Sequence, residues 1–217
     1  MATPTLKICG IQNPAHLNLL GDLQVNYAGF VFVEKSPRHV TLAQAQELTQ
    51  AARDHHVQTV GLFCNAPQEA VRLAQQALQL DVIQLHGHES RGYINSLNLP
   101  QSVQLWKAVA FDPAQITLWH NAPIDTLLVD TPPPSNSTAG LTGGTGQCFD
   151  WKALAALDTS NLPPITLAGG LTADNVAQAI ATVNPAGVDV SSGVESSRGV
   201  KSTEKIQAFV AAVRAAH

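Results

Sequence analysis

The sequence predicts a (β/α)8 barrel that occupies residues 1–217 as a single domain. Short apolar runs of strand length alternate along the chain with segments of helical pattern, which is typical of parallel βα units. Most of the runs are apolar almost throughout, as strands covered on both faces are. The chain has 217 residues, of which 45% are hydrophobic and 13% charged. It can therefore bury a large core, and eight βα units fit it as a small barrel.

Eight strands are predicted from the apolar runs, each close to the length that strands usually have. In chain order they are Leu6–Cys9, Ala28–Val33, Gln58–Phe63, Val82–Leu85, Val103–Ala108, Thr126–Asp130, Ile165–Ala168 and Gly187–Val190. The segments between them are assigned to helices and loops, with no linker and no second domain.

Several of these helices carry start signals. Asn13-Pro14 and Asp112-Pro113 each place an N-cap residue before proline at the first helical position. The segment Thr41–Gln44 fits a capping box. The last helix has apolar residues at the i, i+3, i+4, i+7 spacing that predicts one stripe against a sheet: Ile206, Phe209, Val210 and Val213.

The charge and cysteine content exclude several classes of protein. Lys plus Arg number 12 and Asp plus Glu 16, so the net charge is −4 and the basic surface that nucleic-acid binding requires is missing. No apolar run approaches the roughly 20 residues of a membrane span, and no signal peptide is recognised. The three cysteines, Cys9, Cys64 and Cys148, form no CxxC motif and are too few for a disulfide framework. We therefore expect a cytoplasmic protein with free thiols that binds neither nucleic acid nor membrane.

The connection after the sixth predicted strand, residues 131–148, breaks the alternation. Loops of this length inside a compact domain are usually functional or disordered. Its first part, Pro132–Ala139, is interpreted as a surface insertion. The part Gly143–Gly146 is interpreted as a lid or a ligand-facing loop, because glycine permits close backbone approach and hinge motion.

The reactive side chains gather where predicted strands end. In a barrel of this kind the loops that follow the strands converge on one rim, and the chemistry takes place there. The strand ends, or the loops directly after them, carry Cys9, Arg38, His86, Asp130 and Asp189. Because the chain is poor in charge, their position on one rim indicates a functional site.

The loops after the seventh and eighth strands predict a phosphate site. They contain Gly169-Gly170 and Ser192-Gly193, small residues whose backbone N–H groups can approach a dianion, with help from a helix dipole. Barrels often bind phosphate between these two loops. Glycines can also simply end strands, but two such loops side by side favour phosphate binding.

A series of short motifs runs along nearly the whole chain. They are KICGI (Lys7–Ile11), GFVF and SPRHV (Gly29–Phe32, Ser36–Val40), VIQLHG (Val82–Gly87), LLVD (Leu127–Asp130), GGTG and FDW (Gly143–Gly146, Phe149–Trp151), LAGGLTADNV (Leu167–Val176) and GVDVSSGVE (Gly187–Glu195). In their content and order these motifs resemble the phosphoribosylanthranilate isomerases. The resemblance implies a cofactor-free barrel that converts N-(5-phosphoribosyl)anthranilate to the corresponding carboxyphenylamino-deoxyribulose phosphate in tryptophan biosynthesis.

Two residues depart from the family's pattern. Arg198 and Ser202 stand where the pattern has Pro and Asp. Because Ser202 can still cap the last helix, we expect these departures to affect packing more than chemistry.

The resemblance also implies catalytic roles, with Asp130 as the acid that opens the ribose ring and Cys9 as the base at C2′. A free thiol titrates near pH ~8.5, so Cys9 needs a cation or hydrogen bonds to be a thiolate at neutral pH. We expect Lys7 to point to the opposite side of the strand and to give no such help. Asp130 must be protonated when substrate is bound, which an apolar site or the anionic substrate would favour.

Further assignments concern substrate contacts. Arg38 is expected to bind the anthranilate carboxylate, because a guanidinium fork matches a carboxylate bidentately. Asp189 either orients the substrate's hydroxyls or reacting amine, or braces the eighth loop.

An HxH motif such as His86-Gly87-His88 can bind a metal. Because the family's pattern matches this string and uses no metal, we expect no metal, with His86 facing the substrate and His88 at the start of a helix.

Two other functions stay open. One is another phosphosugar barrel, such as a metal-dependent pentose-phosphate epimerase, which a chelator would inhibit. The other is a non-catalytic barrel that binds a phosphorylated ligand without turnover, although Cys9 and Asp130 would then have no evident purpose. The low charge is compatible with a monomer or a homodimer.

Overall fold

A computed structural model describes residues 3–132 and 148–216, in which eight parallel strands close into a barrel. The barrel strands are β1 Thr5–Cys9, β2 Tyr27–Val31, β3 Gln58–Phe63, β4 Val82–Leu85, β5 Gln104–Ala110, β6 Thr126–Asp130, β7 Ile165–Leu167 and β8 Gly187–Val190. Each strand pairs with the next, and β8 returns to β1 with Lys7 opposite Asp189. The eight predicted strands are confirmed, with ends that agree to within two residues.

Eight helices alternate with these strands in the described residues. They are α1 Pro14–Asp22, α2 Leu42–Asp54, α3 Gln68–Leu78, α4 Arg91–Ser96, α5 Pro113–Thr117, α6 Trp151–Ala155, α7 Val176–Val183 and α8 Thr203–Ala215. After β8 the chain adds one turn of 3₁₀ helix, Ser192–Val194, and a small hairpin of β9 Glu195–Ser197 and β10 Val200–Lys201. This hairpin was not predicted, because strands of two or three residues are too short to show a periodicity.

The predicted helix starts are confirmed by their hydrogen bonds. The side chains of Asn13 and Asp112 each accept from a backbone N–H two residues ahead, at 2.9 Å. Thr41 Oγ1 accepts from Gln44 N–H, and the Gln44 side chain accepts from Thr41 N–H, which completes the capping box. Ser202 caps α8 by accepting from the backbone N–H of Lys205. These bonds satisfy N–H groups that a helix leaves without partners at its first turn.

The apolar side chains form two separate regions of core. The larger lies between the strands and the surrounding helices, where the α8 stripe of Ile206, Phe209, Val210 and Val213 is buried as predicted. The smaller fills the barrel's interior, with Tyr27, Val60, Val82 and Trp106 in one layer. The rings of Tyr27 and Trp106 meet edge to face with centroids 4.8 Å apart. The interior is therefore packed with side chains, and only its C-terminal end is left for a ligand.

No helix in the described ranges combines the length and the hydrophobicity that crossing a bilayer requires.

Phe209→Ala should lower the free energy of unfolding by about 3–5 kcal/mol, because Phe209 is fully buried and truncation leaves a cavity. Leu73→Ala is the matched control, since Leu73 is 54% exposed on α3 and should change that free energy by no more than about 0.5 kcal/mol. Urea unfolding followed by circular dichroism measures both. Equal losses in the two variants would contradict this assignment of the core.

Candidate active site

A pocket opens at the C-terminal end of the barrel and collects most of the residues predicted for the site. Its wall includes Cys9, Arg38, His86, Asp130, Gly170, Asp189, Ser192 and Gly193. These residues come from the ends of β1, β6 and β8 and from the loops after β2, β4, β7 and β8. The arrangement follows from the parallel barrel, because all C-terminal strand ends meet at one rim.

Gly169, also predicted for the phosphate site, is not on this wall and packs closely against Asp130 and Thr131. Its φ of +81° is in the left-handed region that favours glycine. A Cβ at this position would lie 2.3 Å from the Thr131 nitrogen and 2.7 Å from Asp130 Oδ1. A side chain here would therefore displace the carboxyl group, so Gly169 permits the close approach of β6 and the loop after β7.

Cys9 shares the barrel interior with a buried ion pair. Lys7 Nζ lies 2.9 Å from Asp189 Oδ1, and the Lys7 side chain is only 1% exposed. The expectation that Lys7 points away from Cys9 was wrong, because residues two apart in a strand lie on the same face. Burial alone would lower the pKa of Lys7, but Asp189 and Cys9 outweigh it and raise that pKa, so the ammonium stays charged.

The charges around Cys9 oppose each other. Burial raises the pKa of the Cys9 thiol, Lys7 lowers it, Asp189 raises it, and Lys201 of β10 lowers it. The net direction is upward, because removal of water from the thiolate is the largest effect. Lys7 is therefore the main group that lowers the pKa of Cys9 and so favours its thiolate.

Asp130 is held at both carboxyl oxygens. Its Oδ1 accepts from the backbone N–H of Thr131 at 2.7 Å, and its Oδ2 lies 3.4 Å from His86 Nε2. The side chain of Gln84, fully buried in β4, lies 3.0 Å from the other ring nitrogen, Nδ1. When the Gln84 amide donates to Nδ1, the imidazole proton is on Nε2 and is directed at Asp130. His86 thus faces the pocket, as predicted.

His88 does not begin a helix, contrary to the prediction. It is exposed in the loop before α4, with its backbone N–H bonded to the side chain of Asn65. Within residues 3–132 and 148–216, no three His, Cys, Asp or Glu side chains lie close enough to hold a metal ion.

The two predicted phosphate loops lie against each other. A Cβ on Gly193 would lie 1.9 Å from the carbonyl oxygen of Leu171, so the loop after β8 requires glycine to pack on the loop after β7. In the described part of the chain, the backbone N–H groups of Gly170 and Ser192 have no intramolecular acceptor. Both residues line the pocket. These N–H groups are therefore available to an anion.

Comparison with known proteins agrees with this geometry. Over residues 6–212 the chain matches the family described as N-(5′-phosphoribosyl)anthranilate isomerase. The chain belongs to this family. It is 42% identical over 210 residues to the N-(5′-phosphoribosyl)anthranilate isomerase of Paracoccus denitrificans, covering 95% of each chain. It is also 42% identical to the enzyme of that name from Stutzerimonas stutzeri, covering 96% of each.

Solved isomerases of the family have the same fold. The Thermotoga maritima phosphoribosylanthranilate isomerase superposes with a TM-score of 0.84 at 29% identity, covering 98% of this chain and 99% of that one. A complex of such an isomerase with reduced 1-(o-carboxyphenylamino)-1-deoxyribulose 5-phosphate superposes with a TM-score of 0.81 at 27% sequence identity, with the same coverage. The 3-hexulose-6-phosphate synthase of Salmonella typhimurium, 15% identical with a TM-score of 0.69, shares the fold alone.

The side chain of Arg38 is bound by a neighbouring carboxylate, which the motif SPRHV did not indicate. Its Nε and Nη2 donate to the two carboxylate oxygens of Glu195 at 2.7 and 2.9 Å. The edge formed by Nη1 and the second N–H of Nη2 remains for a ligand. Contacts with Arg38, Lys201 and Gly199 outweigh burial and lower the pKa of Glu195 to about 2, so this carboxylate is ionised at neutral pH.

Sequence reasoning missed several residues of the pocket and its support. No sequence pattern pointed to Glu195 or Lys201. Lys7 was predictable, because the alternation of side chains along a strand places residues 7 and 9 on one face. Arg198, expected to affect packing, is exposed and lines the pocket. Cys64, for which no site role was predicted, is also on the pocket wall. Cys148 is exposed, and its thiol contacts Asn175 and the Gly170 carbonyl.

The interpretation of Gly143–Gly146 as a lid, and that of most of Pro132–Ala139 as an insertion, lie outside the described residues.

Two variants should move the pKa of the Cys9 thiol in opposite directions. Lys7→Met removes the cation that lowers this pKa, so it should rise further, whereas Asp189→Asn removes an anion that raises it, so it should fall. The rate of Cys9 alkylation by iodoacetamide as a function of pH, read peptide by peptide with mass spectrometry, measures both shifts. Cys148 in the same samples is the internal control, because burial and a hydrogen bond from Asn175, and neither of these two charges, shift its pKa. Shifts of the same sign in both variants would contradict the electrostatic account.

Proposed function

We propose that this protein isomerises N-(5′-phosphoribosyl)anthranilate to 1-(2-carboxyphenylamino)-1-deoxyribulose 5-phosphate in L-tryptophan biosynthesis, with Asp130 as general acid and Cys9 as general base. The observation that carries this proposal is that both residues line one pocket whose wall also includes the two adjoining small-residue loops. Membership of the isomerase family supports the reaction, and the pocket geometry supports the roles of the residues.

The first step opens the ribose ring. Asp130 donates its proton to the ring oxygen while the anilino nitrogen's lone pair forms a C=N bond to C1′, and the bond between C1′ and the ring oxygen breaks. Of the two carboxyl oxygens, Oδ1 accepts the shorter bond, from Thr131 N–H at 2.7 Å, and Oδ2 lies 3.4 Å from His86 Nε2. The products are an iminium ion and the Asp130 carboxylate.

The second step moves a proton from carbon. The Cys9 thiolate removes the proton on C2′, and the C–H electrons form the C1′=C2′ bond while the C=N electrons return to nitrogen. The resulting enolamine loses its C2′ hydroxyl proton and gains one at C1′, which gives the ketone. The positive charge of the iminium acidifies C2′–H, so this proton is removed only after the ring has opened.

The remaining wall residues hold the two ends of the substrate. The unoccupied edge of the Arg38 guanidinium is suited to the aryl carboxylate. Gly170, Ser192 and Gly193 offer backbone N–H groups to the phosphate, as barrels of this type do after strands seven and eight. Asp189 keeps Oδ2 for a substrate hydroxyl while its Oδ1 is bound to Lys7, so bracing and orientation are compatible.

The wider setting belongs to the same proposal. We expect residues 1–217 to form one domain, acting as a monomer or homodimer without a cofactor. The three cysteines are free. A reducing compartment keeps such thiols from oxidation, which supports a cytoplasmic location.

Cys9→Ala and Asp130→Asn should each lower kcat by about 10²–10⁴, the usual contribution of a general acid or base. Affinity for a product analogue should stay near that of the unmodified protein, because neither change removes a phosphate or carboxylate contact. The assay generates the substrate in situ from anthranilate and phosphoribosyl pyrophosphate and follows the loss of its fluorescence, with and without EDTA. Cys148→Ala is the control for thiol removal and should retain full activity.

Activity above about a tenth in Cys9→Ala would contradict the base assignment. Turnover that EDTA abolishes would contradict an isomerase without a metal. Absence of turnover would leave the metal-dependent epimerase open, and binding without turnover would favour the non-catalytic barrel.

Gly193→Ala should weaken phosphate binding, because the new methyl group would overlap the Leu171 carbonyl and push the two loops apart. Inhibition by inorganic phosphate reports this directly, and we expect its inhibition constant to rise about tenfold or more, as when a charge-assisted contact is lost. Gly92→Ala in α4 is the matched control, since the nearest atom to its new Cβ is 3.6 Å away. An unchanged inhibition constant in Gly193→Ala would remove the loop after β8 from the phosphate site.

A further inference from the structure

Glu195, the first residue of β9, joins several parts of the pocket. It is 6% exposed, and four groups donate to its carboxylate. Oε1 accepts from Arg38 Nε at 2.7 Å and from Lys201 Nζ at 2.8 Å, and Oε2 accepts from Arg38 Nη2 at 2.9 Å and from Gly199 N–H at 3.0 Å. Both oxygens are thus fully engaged, and the carboxylate has no lone pair directed into the pocket for substrate.

The bond to Arg38 fixes the direction of the guanidinium. Glu195 binds the side of the fork that contains Nε, so the opposite edge is the one left to meet a ligand. A free arginine side chain carries considerable rotamer freedom, which it would lose on binding a carboxylate. Because Glu195 has already restricted Arg38, little of this freedom remains to be lost when substrate binds.

The second partner, Lys201, extends the network to the other end of the pocket. Its ammonium donates to the Ser191 carbonyl oxygen at 2.9 Å and to Ser191 Oγ at 3.2 Å. Ser191 Oγ in turn donates to the carbonyl oxygen of Cys9 at 3.1 Å. One buried ion pair therefore connects Arg38, the loop that precedes Ser192-Gly193, and the end of the strand that carries Cys9.

We infer that Glu195 is a positioning residue for carboxylate recognition: it aims the free edge of Arg38 at the aryl carboxylate of the substrate without touching the substrate itself. The inference rests on the proposed function for the identity of the substrate. A positioning role of Glu195 and a purely structural role of the hairpin predict different changes in ligand affinity. A structural role predicts weaker binding of every ligand, whereas positioning of Arg38 predicts a selective loss for ligands that carry the carboxylate.

Two ligands that differ only in this group make the test. Reductive amination of ribose 5-phosphate with anthranilate or with aniline gives a pair of stable analogues, one with and one without the carboxylate. Isothermal titration calorimetry with the unmodified protein, Glu195→Gln and Arg38→Lys gives the affinity ratio of the pair for each. We expect Glu195→Gln to lower this ratio about tenfold or more, towards the value for Arg38→Lys, because a misaligned guanidinium loses a charge-assisted contact. Affinity for the aniline analogue should change less than about threefold.

Two further variants keep the test decisive. Glu195→Gln leaves Lys201 buried without its anion, which can impair folding. The double variant Glu195→Gln/Lys201→Met removes both charges, and it should show the same loss of ratio if Arg38 is the group affected. Glu47→Gln, on the exposed face of α2, is the matched control and should leave both affinities unchanged.

An unchanged ratio, or an equal loss for both analogues, would overturn the inference. Failure of the proposed function would show separately, as absence of turnover by the unmodified protein in the fluorescence assay.

Discussion

The ion pair between Lys7 and Asp189 is the interaction on which the barrel and its site both depend. These residues are opposite each other in the register of β1 and β8, so the pair lies across the seam where the first strand meets the last. Removing one partner of a buried pair leaves an uncompensated charge, which costs about 3–5 kcal/mol. The same ammonium is the main group that lowers the pKa of Cys9. One contact therefore both joins the first strand to the last and places the cation that lowers the pKa of Cys9.

A second buried pair holds the loop after β4. Lys107 Nζ binds Glu89 Oε2 at 3.0 Å and the Gly87 carbonyl oxygen at 2.7 Å, and Glu89 accepts from the Gly87 N–H at 2.9 Å. Together they hold the backbone of Gly87, the residue that follows His86. This chain has only 12 Lys and Arg residues, and the buried ammonium groups of Lys107 and Lys201 bind backbone carbonyl oxygens of the loops after β4 and β8. In the proposed function the neutral backbone of the loops after β7 and β8 binds the phosphate.

The features of the fold and site that the sequence predicted are those that depend on local patterns of residues. Apolar runs located the strands, side-chain oxygens before prolines located the helix starts, and the rule that strand ends share a rim brought Cys9 and Asp130 to one pocket. It did not predict the bond between Arg38 and Glu195, because these residues are 157 positions apart and neither belongs to a periodic pattern. A glycine pair also cannot say which member lines the pocket. The structure places Gly170 on the pocket wall, whereas Gly169 packs against Asp130 and Thr131.

The raised pKa of Cys9 is compatible with the role as a base that is proposed for it. Burial disfavours the thiolate, so fewer molecules carry it at neutral pH, yet a thiolate of higher pKa accepts a proton from carbon more strongly. The two effects oppose each other, and the rate is set by their product. Lys7 and Lys201 limit the loss of thiolate, while Asp189 keeps the base strong. In the proposed mechanism the iminium acidifies the proton on C2′ only after Asp130 has opened the ring. A base of this kind would then act on the intermediate and leave the closed sugar unchanged. The order of the two proton transfers thus follows from the chemistry of the substrate, and the pocket need only hold both groups in place.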